Sequence, residues 1–175
     1  ITATGPDNTI TNSGSITGAD DGIASTGDNA IITNSESITG TSFDGIYSIG
    51  AKATITNSGT TNGGEDGIDS RGANAIITNS GTITGTNFDG IDSMGADAII
   101  TNSGSITGGD EGIDSGGDNA IINNSGTITG AVDGVESNGA DAIITNSGTI
   151  TGTSYDGIRS SGADATITNS GTINA

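Results

Sequence analysis

The sequence predicts an all-β fold, a parallel β-solenoid with roughly triangular coils of 22–23 residues. About eight coils form a single repeat domain over residues 1–175. Three observations lead there. The pair Asn-Ser recurs at 12, 34, 57, 79, 102, 124, 146 and 169, in steps of only 22 or 23 residues. The triplet Asp-Gly-Ile, or a close variant, recurs with the same steps from position 21 to position 156. Between these marks the chain shows short alternating runs bounded by Gly, without the 3.6-residue period of an ankyrin-like or leucine-rich helical array. Winding is expected to be right-handed, by analogy with parallel crossovers.

Each coil reads as three short strands, around Ile91-Asp92-Ser93, Ala98-Ile99-Ile100-Thr101 and Ser105-Ile106-Thr107 in one example. Alternation with period two assigns the faces. One inward column runs through Ile10, Ile32, Ile55, Ile77, Ile100, Ile122, Ile144 and Ile167. A second runs through Ile16, Ile38, Ile83, Ile106, Ile128, Ile150 and Ile173, with Thr61 as its one departure. The third holds the Ile of Asp-Gly-Ile, with Val135 in one coil. Three inward columns imply a three-sided coil, and each buried Ile contributes about 1.5–3 kcal/mol. Stacked at ~4.8 Å, almost eight coils give a rod of ~37 Å. The residue that makes a coil 23 long falls in one loop and brings an aromatic: Phe43, Phe88 or Tyr155.

Composition excludes several functions. The chain holds 32 Gly, two Phe and two Tyr, and no Trp, Cys or His. Three basic residues face 21 acidic ones, for a net charge of −18. That balance opposes nucleic-acid binding and docking on anionic lipid. No apolar run reaches membrane-spanning length, so membrane insertion is not expected. Without Cys there are no disulfides or thiolate metal sites, and without His the commonest general base is missing. The sequence therefore predicts no enzyme and requires no cofactor.

Repeats of the form Ile-Thr-Asn-Ser-Gly-Thr-Ile-Thr-Gly, as at 77–85 and 144–152, followed by Asp-Gly-Ile, carry a resemblance. They are similar to the repeat, or passenger, regions of bacterial autotransporters and related surface adhesins, and the resemblance covers the whole chain. It implies a secreted β-solenoid at the cell surface or outside the cell. These 175 residues include no outer-membrane barrel, so export and anchoring are expected to be supplied from elsewhere. The chain opens at Ile1 without a signal peptide, which reads as a processed form or an excised segment.

Four surface features qualify as candidate sites. The third-strand Ile is flanked by hydroxyl pairs: Ser15 and Thr17, Ser37 and Thr39, Thr82 and Thr84, Ser105 and Thr107, Thr127 and Thr129, Thr149 and Thr151, with Thr60 beside Asn62. This flat grid resembles the ice-binding face of solenoid antifreeze proteins, and it also suits any soluble strand. A second face carries Ile31 with Thr33, Ile76 with Thr78, Ile99 with Thr101, Ile121 with Asn123, and Ile143 with Thr145. Exposed Ile in a row marks a contact surface, for another rod, a loop or ice.

The third feature is acidic. Asp69, Asp92, Asp114 and Glu136 follow the first-strand Ile, beside the loop acids Asp21, Asp44, Asp66, Asp89, Glu111, Asp133 and Asp156. A solvated acidic face is the expectation. Calcium could relieve the repulsion, although the nonapeptide calcium repeat is absent. The acids repeat evenly and aromatics are few, so no irregular aromatic-lined cleft of a polysaccharide-cleaving kind is expected. The last feature is the ends, which show no polar cap and suggest either a segment of a longer solenoid or end-to-end association. Partners are thus expected to be further copies, end to end or side to side, or ice or a surface ligand. The invariant Asn12, Asn34, Asn57, Asn79, Asn102, Asn124, Asn146 and Asn169 read as a structural turn ladder.

Overall fold

A computed structural model describes residues 1–175. It contains 24 strands and no helix. The strands form three parallel sheets of eight, each taking one strand per coil in coil order. The first sheet runs from Thr2–Ala3 to Ile158–Ser160, the second from Thr9–Asn12 to Thr166–Asn169, and the third from Ser15–Gly18 to Thr172–Asn174. The fold is a three-sided β-solenoid of about eight coils.

Register follows the repeat without a slip. Ile77 pairs with Ile55 and Ile100, and Ile91 pairs with Ile68 and Ile113. Because side chains alternate, a slip of one residue would turn a whole Ile row outward, so the buried face itself fixes the pairing. Seventeen fully buried Ile and Val side chains from all three sheets make one continuous core. Thr61 takes the place of an Ile in this core, and its hydroxyl finds a partner by donating to Asn57 Oδ1 at 3.1 Å.

The second strand runs Ile99–Asn102, one residue later than the alternation alone suggests. Ala98 belongs to the corner before it and heads a buried column with Ala30, Ala53, Ala75, Ala120 and Ala142. Ahead of each such position, one residue per coil takes a left-handed backbone conformation: Asp7, Asn29, Lys52, Asn74, Asp97, Asn119, Asp141 and Asp164. Asn and Asp tolerate that conformation because their short side chains bond locally, which explains their use at this corner.

No glycine has a positive φ. Glycine serves close approach instead. A Cβ on Gly90 would lie 2.5 Å from Gly112 O in the next coil. The corners are bonded as thoroughly as the strands: 65 of the 120 backbone hydrogen bonds lie outside the strands, so the turns are part of the ladder rather than loose connections.

Candidate functional site

The rod presents three different long faces. The first sheet and its loops carry the acids and all four aromatics, the second sheet carries Ile and Thr, and the third carries Ser and Thr.

The Asn ladder occupies the corner between the second and third sheets. Asn102 Nδ2 donates to Asn124 Oδ1 at 2.8 Å in the next coil, to the Gly104 carbonyl at 3.3 Å and to the Thr127 carbonyl at 3.1 Å. Its own Oδ1 accepts from Asn79 Nδ2 at 2.9 Å and from the Gly104 N–H at 3.2 Å. The same arrangement links Asn12 to Asn34, Asn34 to Asn57, Asn57 to Asn79, Asn124 to Asn146, and Asn146 to Asn169. These side chains lie inside the strand ends, and all but the last are buried. Each amide acts as donor and acceptor along the axis, which leaves them no capacity for an outside ligand.

The third sheet presents its hydroxyls outward. Thr84, Thr107, Thr129 and Thr151 stack in register, and so do Thr82, Ser105, Thr127 and Thr149. Toward one end Ser15, Thr17, Ser37, Thr39 and Thr60 continue the two rows. All are exposed or half-buried, and no charge interrupts the grid. On the second sheet Ile31, Ile76, Ile99 and Ile143 project into solvent with 47%, 43%, 36% and 44% of their surface exposed. Ile121 is half-buried in the same row, beside the row of Thr33, Thr78, Thr101 and Thr145.

The acidic face departs from the expectation of a solvated surface. Asp44, Asp66, Asp69, Asp89 and Asp133 are buried, with Asp69 only 2% and Asp133 only 1% exposed. The loops before Asp-Gly-Ile stack coil on coil, and Asp21, Asp44, Asp66, Asp89 and Asp133 each accept from the next coil's backbone. Asp66 N–H donates to Asp44 Oδ1 at 3.2 Å, Asp89 N–H to Asp66 Oδ1 at 2.7 Å, Glu111 N–H to Asp89 Oδ1 at 2.9 Å, and Asp156 N–H to Asp133 Oδ1 at 2.7 Å. These carboxylates serve the ladder as the Asn amides do.

Burial sets their titration. It pushes Asp44 and Asp92 up to about 7 and Asp66 and Asp114 up to about 6, with neighbouring carboxylates adding to the rise in each case. Asp89 and Glu111, on adjacent coils, are both raised by the same burial. The chain's two arginines answer part of this charge. Arg71 forks onto Asp69 with contacts of 2.7–3.0 Å and lies over the Tyr47 ring at 5.5 Å. Arg159 reaches Glu136 at 3.1 Å and Asp133 at 3.7 Å.

Two hollows open on this face. One, of 270 Å³, is lined by Phe43, Tyr47, Asp44, Asp66, Asp69 and Arg71 among others. The other, also 270 Å³, lies between Val132, Asp133, Tyr155, Asp156 and Arg159. The even spacing of the acids conceals these irregular, aromatic-edged hollows, which arise where a long loop and an arginine coincide. Two trios hold carboxylate oxygens within 4.8 Å of one another, Asp66 with Asp69 and Asp92, and Glu111 with Asp133 and Glu136. Calcium takes about 6–8 oxygen ligands. Each trio offers three side chains, and in each an arginine already sits on at least one of them.

A further column escaped the reading of the sequence. Ser25, Ser48, Ser70, Ser93, Ser115 and Ser137 are fully buried, and their hydroxyls have no hydrogen-bond partner. The Ile-x-Ser spacing was the available signal, since period-two alternation puts both residues on one face. No family model matches the chain, and neither a curated protein nor a solved structure does.

Proposed function

We propose that the chain is a rigid structural rod outside the cell, a segment of an adhesin-like stalk or a subunit of a head-to-tail surface fibre. The observation that carries this reading is the unbroken axial ladder. Backbone bonds run from coil to coil in strands and corners alike, from Ala24 N–H to the Ile1 carbonyl through to Thr172 N–H and the Gly148 carbonyl. Every coil presents the next with the same register, Asn amide and Ile columns, so one coil can stack on any other. A device of this kind transmits length and stiffness.

Electron microscopy of the purified chain tests it. Straight rods of uniform width, single or joined end to end, are expected; flexible or irregular particles would overturn the reading.

A second reading, ice binding, is favoured by one observation: the uncharged outward grid of the third sheet, where Thr84, Thr107, Thr129 and Thr151 stand in register at strand spacing. Ice-crystal growth with the chain in solution tests it. Faceted crystals, lost on Thr84→Tyr with Thr129→Tyr, would support it. Ordinary disc-shaped growth would sink it and leave the rod reading untouched.

A further inference from the structure

We propose that the second sheet is the contact face of a two-fold antiparallel dimer, and that its occupant is a second copy of this chain. The starting point is charge. At a net −18, two rods approaching on their acidic faces repel, and a Debye length of about 8 Å at physiological salt screens only part of that. The second sheet sends no charged side chain outward in any coil. Its outward rows hold only Thr, Ile and one Asn.

The order of residues along this face then selects the partner. Over six consecutive coils the leading outward position reads Thr54, Ile76, Ile99, Ile121, Ile143, Thr166. Reversed, the row is the same. A two-fold axis lying in the interface along the strands, midway between Ile99 and Ile121, sets Ile99 against Ile121 of the second copy. It also sets Ile76 against Ile143 and Thr54 against Thr166. Each contact then occurs twice, as an isologous interface requires. A parallel arrangement would instead lay the Ile row on the Thr row, so apolar matching favours the antiparallel one.

The rim agrees independently. The left-handed corner residues stand two positions before the outward row, and they are exposed. Under the same axis, Lys52 faces Asp164 of the second copy. Asn74 faces its Asp141, and Asp97 faces its Asn119. Among these left-handed residues no like charges stand directly opposed, and the chain's only lysine meets an aspartate; the exposed Asp118, one position ahead of Asn119, is the one acid this rim brings near Asp97 of the second copy. The opposite rim, at the Asn-Ser corners of these six coils, is uncharged. Area is adequate. The accessible surface of 6778 Å² is shared among three faces, three corners and two ends. One face therefore holds about 850 Å², and the six overlapping coils about three quarters of it, within the roughly 600–1,000 Å² per partner of a standard interface. A foreign partner would have no use for the palindrome or for the rim pairing.

Sedimentation velocity on a dilution series of the full chain tests the proposal. A mass that moves from 16.8 kDa toward twice that value with rising concentration is expected. Ile99→Lys with Ile121→Lys should leave a monomer with unchanged circular dichroism. Lys52→Asp should weaken association at least about tenfold, the equivalent of about 1.4 kcal/mol. Adding Asp164→Lys to it should restore association. Should the lysine pair disturb folding, Lys52→Cys with Asp164→Cys offers a second route. These positions are five coils apart within one chain, ~24 Å, so a short bis-maleimide joins them only between copies. A monomer at every concentration, a dimer indifferent to the lysines, or no restoration by the charge swap would each overturn the proposal.

Discussion

Asn79 and Asn102 stand one above the other at the same corner of successive coils, and Asn79 Nδ2 donates to Asn102 Oδ1 at 2.9 Å with both side chains buried. Each amide is held on both sides, so removing one disturbs two neighbours. Asn102→Ala takes one of three acceptors from Asn79, whose Nδ2 keeps the Gly81 and Ser105 carbonyls, and leaves Asn124 Oδ1 without its donor, in addition to the lost turn bonds. A leftover buried polar group costs about 1–3 kcal/mol. A loss of about 2–5 kcal/mol is expected in urea denaturation, with a clearly smaller loss for the exposed Asn169→Ala.

The buried serines should behave in the opposite way. Ser93 is fully buried and its hydroxyl lacks a partner. Ser93→Ala removes a desolvated group without enlarging the core. It is expected to be neutral or to stabilise by up to about 1 kcal/mol. A destabilisation above that in the same urea experiment would reveal a hydrogen bond to that hydroxyl.

Two glycines separate close approach from mere flexibility. A methyl on Gly90 meets Gly112 O at 2.5 Å, whereas one on Gly14 meets nothing within 4 Å. Neither glycine has a positive φ. Gly90→Ala should therefore lower the melting temperature sharply. Gly14→Ala should stabilise by about 0.4–1 kcal/mol by narrowing the unfolded ensemble.

Stability should rise on acidification. Asp44 and Asp92 are raised to about 7, and Asp66 and Asp114 to about 6, chiefly by burial. A carboxyl raised on folding binds its proton more tightly in the native state. Its stabilising effect is complete below the unfolded value of about 4 and disappears as pH climbs through the native value. Melting at pH 5 is expected at higher temperature than at pH 8. The reverse order would mean that something other than protons neutralises the acidic face.

Arg71 sets the size of that effect. Burial dominates at Asp66 and Asp92, but the nearby guanidinium holds both lower than burial alone would. Arg71→Gln removes it and leaves the buried Asp69 without its fork. The variant should lose stability at pH 8, lose less at pH 5, and show a steeper pH dependence than the parent.

How much of this was legible from the residues differs from column to column. The Ile columns, the three strands per coil and the outward hydroxyl rows could be read directly, because alternation and a fixed period leave one way to bury Ile. Ile106 and Ile128 need no coordinates to be assigned inward. Charge by itself predicts that Asp44, Asp66 and Asp89 are solvated, and only the stacking of one coil's loop on the next supplies the backbone donors that hold them. The hollow beside Phe43 and Tyr47 was hidden for a related reason. Arg71, Asp69 and Tyr47 come from two successive coils, and no local pattern joins them.

The sequence by itself determined the solenoid, its period, its register and its charge. Each follows from repetition combined with the need to bury one apolar residue per strand. The Asn turn ladder could be read from its unbroken repetition, but only the tertiary structure decided which other polar columns face inward: the Ser hydroxyls buried without partners, and the carboxylates tied to the next coil's N–H groups. Stacking brings equivalent residues 22 or 23 positions apart to strand spacing. At that distance a polar side chain can bond to its own copy or to the backbone above, and whether it does depends on geometry that no single coil contains.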